Sequence, residues 1–167
     1  MRRRLMVAVL WAFGRLPRGM RRAVVRAFSP KYTVGALCIV RRDDGSVLLV
    51  RHSYNRRWGT VGGLAKPGEA PEVCAVREAR EESGLEVILV GEPAVIVLPQ
   101  LRRVDVVFLA RPAPWVDPDT ARPTSAEILE TRWFPPGQAP ELSADTASAW
   151  TALARAGLID RPGQLPS

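Results

Sequence analysis

The feature that most constrains this chain is an acidic stretch bounded by glycines, from Gly63 to Leu85, which reads GLAKPGEAPEVCAVREAREESGL. Pro71 suits the first turn of a helix, because its φ is fixed and the N–H that it lacks would have no helical partner. Gly84 suits the left-handed position at which helices commonly end. The stretch therefore predicts a helix that begins at Pro71 and ends at Gly84.

Three glutamates lie on one side of this predicted helix. Glu78, Glu81 and Glu82 stand at i, i+3 and i+4, so their carboxylates project from one face. Like charges at this spacing destabilise a helix by roughly 0.2–0.5 kcal/mol per pair, and an i,i+4 pair between Arg77 and Glu81 offsets only part of that. One interpretation is a hard-oxygen site for Mg²⁺ or Mn²⁺ beside the glycine turn. The alternative is a solvated, charge-rich helix face.

The complete spacing favours the metal site. The segment fits the pattern G-x5-E-x7-R-E-U-x-E-E-x-G-U, where U is apolar, and a chance match anywhere in the chain is on the order of 10⁻⁷ to 10⁻⁶. The matching residues are Gly63, Glu69, Arg77, Glu78, Ala79, Glu81, Glu82, Gly84 and Leu85. This pattern is the Nudix box, and from about residue 32 to residue 156 the chain resembles the Nudix hydrolase family.

The resemblance implies an α/β fold, a Nudix-type α/β/α sandwich with a mixed β-sheet. The apolar and β-branched runs agree, because they predict strands before and after one central helix, with a closing helix over 141–156. The strands are expected at 32–40, 46–52, 86–90, 94–98, 104–110 and 127–134. The Asp44-Gly45 turn predicts that the first two strands form a β-hairpin.

The resemblance also implies the chemistry, which is attack by water on phosphorus in a nucleoside diphosphate linked to another moiety. The chain is then a hydrolase acting on phosphorus anhydrides, with Mg²⁺ as its cofactor and Mn²⁺ as a substitute. The expected metal ligands are the Gly62 carbonyl, Glu78, Glu81 and Glu82, with Glu127 as a further candidate. The general base is Glu78 or an acid on a later loop, where Glu127 ranks before Glu130, Asp105 and Asp117.

Two further residues of the box are expected to act with the three carboxylates. Arg77 is expected to orient them through a bidentate pair with Glu69, so both are grouped with Glu78, Glu81 and Glu82 as catalytic residues. Basic residues beside the glycine turn suit phosphate binding, whereas Trp58 either stacks on a base or packs under the loop. The expected substrate-binding residues are Arg51, Arg56, Arg57, Trp58 and Lys66.

The turn before the box departs from the family pattern. It reads Thr60-Val61-Gly62-Gly63 where the family usually has Leu-Pro-Gly-Gly, and none of the family's substrate signatures follows the box. The substrate therefore stays open, and two alternatives to a nucleotide hydrolase remain. One is a non-catalytic module that senses a nucleotide, and the other is a membrane-surface hydrolase of lipid or isoprenoid diphosphates.

Histidine and cysteine usage excludes other kinds of site. His52 is the only histidine, so a single chain cannot build a histidine-based triad or a histidine-rich metal site. Cys38 and Cys74 lack the spacing of zinc ligands and lie in apolar surroundings. We expect buried free thiols in a cytoplasmic protein.

The basic residues are concentrated at the N-terminus. Residues 1–31 carry nine basic and no acidic residues, whereas residues 32–167 have a net charge of −2. The apolar run Leu5–Phe13 has nine residues, too few for the roughly 20 that span a bilayer, and no signal-peptide cleavage site follows it. From Arg18 to Phe28 the arginines and the apolar residues fall on different sides of a helix. The sequence thus predicts a basic amphipathic helical arm.

The partner of this arm stays open. Through residues 1–28 it could contact an anionic membrane surface, pack on its own domain, or join two subunits in a homodimer. Nucleic acid is not expected, because the aromatic residues do not alternate with the basic ones. The expected organisation is an arm at 1–31, a Nudix hydrolase domain at 32–156 and a loose tail at 157–167. The protein is expected in the cytoplasm, with peripheral contact at the inner membrane surface as the alternative.

Overall fold

The computed structural model of the protein describes residues 2–159. Most of the expected loose tail, residues 160–167, lies outside the described residues. The chain divides between Lys31 and Tyr32 into two compact units.

The N-terminal unit consists of two helices, α1 (Arg2–Arg15) and α2 (Arg18–Phe28). Pro17 stands at the N-cap position of α2, where its fixed φ separates the two helices. No residue of α2 is buried. Among the described residues, none of the helices has the length and apolar character that crossing a membrane requires.

The second unit, as far as residue 159, contains seven strands and two α-helices. In chain order they are β1 (Thr33–Val40), β2 (Val47–His52), β3 (Trp58–Gly59), β4 (Val61–Leu64), α3 (Pro71–Ser83), β5 (Val87–Leu98), β6 (Arg103–Pro112), β7 (Ile128–Phe134) and α4 (Ala144–Arg155). Short 3₁₀ turns cover Pro99–Leu101 and Pro118–Thr120. The predicted helix between Pro71 and Gly84 is confirmed, whereas α4 begins at Ala144 instead of residue 141, because Ser143 caps it by accepting a hydrogen bond from the Thr146 N–H.

The strands form two sheets, in the orders β4-β1-β6-β5 and β3-β2-β7. Strand β1 runs parallel to β6 and antiparallel to β4, and β5 is antiparallel to β6. The larger sheet is therefore mixed, as predicted. The second sheet is antiparallel throughout.

The expected hairpin between the first two strands is wrong beyond its turn. The turn itself forms, with hydrogen bonds from the Arg42 N–H to the Ser46 carbonyl and from the Gly45 N–H to the Arg42 carbonyl. A single bridge joins Arg41 to Val47, and the two strands then enter different sheets. Strand β1 already pairs with β4 on one edge and β6 on the other, so it has no edge left for β2.

Two other predictions of local structure need correction. The glycine turn before the box is partly a strand, β4, which pairs Gly62 with Leu37 and Leu64 with Gly35. The two strands expected at 86–90 and 94–98 are one strand, β5, with an irregularity between Val90 and Ala94. The residues between Val90 and Ala94, which interrupt the apolar pattern of the sequence, form a bulge, because the pairing with β6 resumes at Ala94.

Alternating side chains of β1 and β2 face two different cores. Leu48 and Val50 pack with Cys74, Ala75 and Ala79 of α3. Leu49, between them, packs instead in the cluster that includes Leu153 of α4. Because successive side chains of a strand point to opposite sides, this alternation puts α3 and α4 on opposite sides of the strand layer. The predicted α/β/α layering is confirmed.

This layering predicts that a Leu→Ala substitution lowers the free energy of unfolding much more under α4 than on the exposed side of β7. Leu153 is fully buried and Leu129 of β7 is 55% exposed. We expect Leu153→Ala to reduce the free energy of unfolding by about 2–5 kcal/mol, because it leaves a cavity under α4. The matched change Leu129→Ala should stay within about 0.5 kcal/mol. Urea unfolding of both variants checks this, and equal losses would contradict the assignment of α4 to a core.

Candidate active site

Helix α3 lies close to the strands because its inner face is small. Cys74, Ala75 and Ala79 are fully buried there, and Gly84 ends the helix in the left-handed conformation at φ 72°. Both cysteines of the chain are free and buried, as predicted, and burial raises the pKa of the Cys38 thiol to about 12. The close approach of α3 brings its acidic residues to the backbone of β4.

Glu82 is the most deeply buried carboxylate of the box. Its side chain is 7% exposed, and its Oε2 accepts a hydrogen bond of 3.0 Å from the Gly62 N–H of β4. Its Oε1 lies 3.4 Å from Nε2 of His52, the last residue of β2. The sequence assigns no such contact to His52, because β2 and α3 are brought together only by the packing of the sheets.

Glu78 lies against the next residue of β4. A Cβ at position 63 would lie 2.4 Å from Glu78 Oε1, so a larger residue here would displace the carboxylate from its present position. Burial raises the pKa of Glu78; the pairing with Arg77 opposes this rise, and the charges of Glu82 and Glu81 add to it. Glu78 and Glu82 thus contact adjacent residues of one strand.

Arg77 is the centre of a network of ion pairs. Its Nε and Nη2 donate to the two carboxylate oxygens of Glu69 at 2.7 and 2.9 Å, which is the expected bidentate geometry. Its Nη1 donates to Glu78 at 2.6 Å and to Glu81 at 2.9 Å. Glu69 also accepts from the Lys66 N–H at 2.7 Å. These bonds, chiefly those from Arg77, lower the pKa of Glu69 to about 2.

The acidic residues of α3 suit a divalent cation, both because they are carboxylates and because two of them lie close together beside β4. Carboxylate oxygens are the ligands that Mg²⁺ and Mn²⁺ prefer, and Glu78 and Glu82 reach adjacent residues of β4. As the side chains stand, however, the described residues contain no group of three or more His, Cys, Asp or Glu side chains arranged to hold a metal ion. The reason is visible in the contacts, because Arg77 and the Gly62 N–H occupy carboxylate oxygens that a cation would use.

The residues expected to bind substrate differ in their surroundings. Lys66 reaches the box, with its Nζ 3.9 Å from Glu81. Arg51 is paired with Glu130 at 3.0 Å and Arg57 with Glu141 at 2.7 Å, each through an ion pair to another strand or loop.

Trp58 and Arg56 complete that group. Trp58 is half-buried and packs edge-on against Phe134, with ring centroids 4.8 Å apart, so it supports the loop from beneath. Arg56 is exposed, and none of the hydrogen bonds or ion pairs found among residues 2–159 involves its side chain. Lys66 and Arg56 are thus the basic residues of this group that are least engaged in ion pairs.

Of the later acidic residues that the sequence proposes as bases, Glu127 directly precedes β7. Its carbonyl accepts a hydrogen bond of 2.8 Å from the Ser53 N–H, which places it beside the end of β2. The pKa of Tyr54 is raised by burial and then by the charges of Glu127 and Glu82, so the two carboxylates act on one side chain. Asp117, by contrast, caps the turn at Pro118, and Asp105 is buried in β6.

A cleft of about 370 Å³ opens beside β4. The side chains and backbone that line it are those of Gly35, Leu37, His52, Tyr54, Asn55, Gly59, Thr60, Gly62, Gly63, Leu64, Arg103, Asp105, Ser143, Ala144, Asp145 and Thr146. A larger hollow, of about 1090 Å³, lies along α3 between Val73, Val76 and Leu89. It touches Arg77 and Glu81 but neither glycine of β4, so the smaller cleft is the candidate site.

A charged group lies in this cleft, and the sequence singles out only Asp105 of it, as a candidate base. Arg103 of β6 donates to Asp105 at 2.9 Å and to Asp145 of α4 at 2.9 Å. Asp105 is 3% exposed; burial raises its pKa, while Arg103 opposes the rise. No local pattern could connect Asp145 with the other two residues, because α4 and β6 meet only in the folded chain.

Comparison with known proteins identifies related chains. The NUDIX domain model matches residues 31–155. A "Putative 8-oxo-dGTP diphosphatase" of Bacillus subtilis (strain 168) is 30% identical over 109 residues, which are 65% of this chain and 70% of that protein. An "ADP-ribose pyrophosphatase" of Mycobacterium tuberculosis is 47% identical over 58 residues, 31% of this chain and 28% of that protein. The crystal structure of a NUDIX hydrolase from Nitrosomonas europaea shares the fold, with a TM-score of 0.65, 24% identity and coverage of 80% of this chain and 76% of that one.

The Arg77 network predicts a change in the titration of Glu69. A folded-state pKa of about 2, below the ordinary 4.5, means that the pairing stabilises the fold above pH 4.5 and that this contribution is lost as the pH falls towards 2. Arg77→Gln should raise the pKa of Glu69 and abolish most of this pH dependence. Carboxyl-carbon NMR titration and acid unfolding measure the two effects.

Arg80→Gln is the matched control, since Arg80 lies on the same helix and is exposed. It should leave the Glu69 titration as it is in the wild type. An unchanged Glu69 pKa in Arg77→Gln, or an equal rise in Arg80→Gln, would contradict the network.

Proposed function

This chain belongs to the Nudix family of diphosphate-cleaving hydrolases, and on that premise we propose that it is a Mg²⁺-dependent pyrophosphohydrolase of nucleoside diphosphates linked to another moiety. The family establishes a hydrolase that acts on diphosphate bonds of small molecules. The proposal adds the metal, the residues and the class of substrate, within a hydrolase domain that we place at residues 32–156.

One observation carries the proposal, namely the contact of Glu82 and Glu78 with adjacent glycines of β4. Glu82 accepts from the Gly62 N–H at 3.0 Å, and Glu78 leaves no room for a Cβ at Gly63. Phosphoryl transfer relies on positioning and on cations placed against the developing charge. Two carboxylates fixed beside an open cleft supply the anchor that such a cation needs.

In this proposal Glu78, Glu81, Glu82 and the Gly62 carbonyl would hold Mg²⁺, or Mn²⁺ in its place. The ion would supply positive charge to the phosphoryl oxygens and acidity to a water molecule. Arg77 orients Glu78 and Glu81 through its Nη1, and Glu69 in turn fixes the guanidinium. Arg77 and Glu69 are therefore positioning residues, whose effect passes through the carboxylates that they hold.

Glu127 is proposed as the general base, which takes the proton of the attacking water on its carboxylate. It is exposed directly before β7, its charge and that of Glu82 both act on Tyr54, and its carboxylate has no ion-pair partner among the described residues. Glu130 is less suited, because its Oε2 accepts two hydrogen bonds from Arg51, at 3.0 and 3.2 Å. The Glu130 carboxylate is therefore already engaged by a guanidinium, whereas that of Glu127 is not.

The cleft and the relatives support a nucleotide substrate. Lys66 and Arg56 are proposed to contact the phosphates, whereas Arg51, Arg57 and Trp58 maintain the strand and loop that present them. Arg103, Asp105 and Asp145 offer hydrogen bonds to a nucleoside farther along the cleft. The named activities of the two relatives concern 8-oxo-dGTP and ADP-ribose, which are both nucleoside diphosphates linked to a further group.

The central test is turnover of a panel that contains 8-oxo-dGTP, ADP-ribose and an isoprenyl diphosphate, with Mg²⁺ and with a chelator. We expect a nucleotide to be hydrolysed only with the metal present. Glu82→Gln should lower kcat by about a hundredfold or more, because it removes a charge from the site. The control Glu72→Gln, an exposed residue of α3, should retain activity. An unchanged rate in Glu82→Gln would rule out the metal assignment.

A second test separates the two later carboxylates. Glu127→Gln should lower kcat by about 10²–10⁴-fold and remove the loss of activity at acidic pH, as expected for a general base. Glu130→Gln should change kcat only a few-fold, because Glu130 is paired with Arg51. The pH profile of kcat for both variants decides this, and the opposite ranking would reassign the base to Glu130.

A further inference from the structure

Helix α1 exposes an apolar surface that proteins normally cover. Six of its apolar side chains are 58–69% exposed, and the apolar run turns through the whole circumference of the helix. They are Leu5, Met6, Val7, Val9, Leu10 and Trp11. A helix that is apolar all round is usually buried, and a contiguous exposed apolar patch marks a surface for interaction.

Helix α2 separates apolar and basic side chains. Met20, Val24 and Phe28 are 54%, 38% and 86% exposed, and at i, i+4 and i+8 they follow one side of the helix. Arg18, Arg22 and Arg26, also four residues apart, follow the other side, and Arg21 lies at the border between the two. No residue of α2 is buried, so the apolar side has no core of its own.

Charge decides what kind of partner fits these two helices. Residues 1–31 carry nine basic residues and no acidic one, and the rest of the chain has a net charge of −2. A second copy of the arm would bring nine further positive charges against the first nine, which opposes a dimer built on the two arms. An extended anionic surface satisfies the basic side and the apolar side together.

The two helices also form a groove suited to a phosphate group next to an acyl chain. The groove has a volume of about 480 Å³ and is lined by Phe13, Arg18, Arg21, Arg22, Val25 and Arg26. Guanidinium groups bind phosphate through paired N–H donors. The two apolar side chains beside them provide a surface that a hydrated inorganic anion would not use.

The dimensions fit one half of a bilayer. At 1.5 Å per residue, the apolar run from Leu5 to Phe13 is roughly 13 Å long, about half of the hydrocarbon thickness of roughly 30 Å. At its end, Arg15 lies over the ring of Trp11, with the guanidinium carbon 3.2 Å from the ring centroid. Tryptophan and arginine are typical of the interface between headgroups and acyl chains.

We propose that residues 2–28 bind the surface of an anionic phospholipid membrane. The arginines of α2 contact lipid phosphates, and the apolar residues of α1 and α2 enter the acyl region of the facing leaflet without crossing the bilayer. The arm attaches the hydrolase unit to a membrane, and this attachment is independent of which diphosphate the cleft accepts.

The test is co-sedimentation of the full-length protein with vesicles. We expect binding to vesicles of phosphatidylcholine with about a third phosphatidylglycerol, weak binding to phosphatidylcholine alone, and loss of binding at high salt. Arg21→Glu, Arg22→Glu and Arg26→Glu combined should weaken binding more than about a hundredfold. The matched control reverses three exposed arginines of the hydrolase unit, Arg111, Arg122 and Arg155, and should bind as the wild type does.

A second variant, Leu10→Ser combined with Trp11→Ser, tests the apolar contribution at unchanged charge and should also weaken binding. Equal loss in the two arginine variants, or equal binding to neutral and anionic vesicles, would overturn the proposal. A wild type that ignores vesicles but forms dimers or binds RNA through the same arginines would also overturn it. Because sedimentation does not depend on turnover, a failure here leaves the proposed hydrolysis intact, and an inactive protein that binds vesicles leaves this proposal intact.

Discussion

The structure depends on the close approach of one acidic helix to one glycine strand. Cys74, Ala75 and Ala79 are small enough to let α3 lie on the strands, Gly63 leaves the space that the Glu78 carboxylate fills, and the Gly62 N–H binds Glu82. A Cβ at position 62 would lie 2.5 Å from the Ala36 carbonyl of β1, so the same glycine also permits the pairing of β4 with β1. The pairing of β4 with β1 and the positions of the Glu78 and Glu82 carboxylates therefore depend on the same two glycines.

That arrangement creates an electrostatic problem, which Arg77 and the backbone of β4 relieve. The side chains of Glu78 and Glu82 are largely shielded from solvent. Two ionised carboxylates in such a place repel each other and lose hydration, which raises the free energy of the folded state. Arg77 donates to three different carboxylates, and the Gly62 N–H donates to Glu82. The network holds the acidic side chains in fixed positions while leaving them only partly neutralised. Partial neutralisation is what a cation-binding site requires before the cation arrives.

The parts that the sequence could predict are those set by local chemistry. The limits of α3 follow from Pro71 and Gly84, and the bidentate pair of Arg77 with Glu69 follows from the spacing of the box. Strand β4 could not be predicted, because two glycines have little strand propensity and the strand exists through its pairing with β1. The separation of β1 and β2 into two sheets could not be predicted either, because β1 pairs with β4 and β6 and so has no free edge for β2.

Long-range contacts escaped prediction for the same reason. His52 lies 3.4 Å from Glu82 and Arg103 lies 2.9 Å from Asp145, although the two residues of each pair are 30 or more positions apart in the sequence. These contacts also bear on the proposed function. Asp105, Asp145 and Arg103 line the cleft, and the carboxylates of Glu78 and Glu82 lie beside it, so the acidic groups outnumber the guanidinium groups and repel the phosphates of a nucleotide. If the protein cleaves a diphosphate there, the cation must both anchor the substrate and offset the charge of the walls. Binding of metal and of substrate should then be mutually dependent, because each supplies the charge that the other lacks.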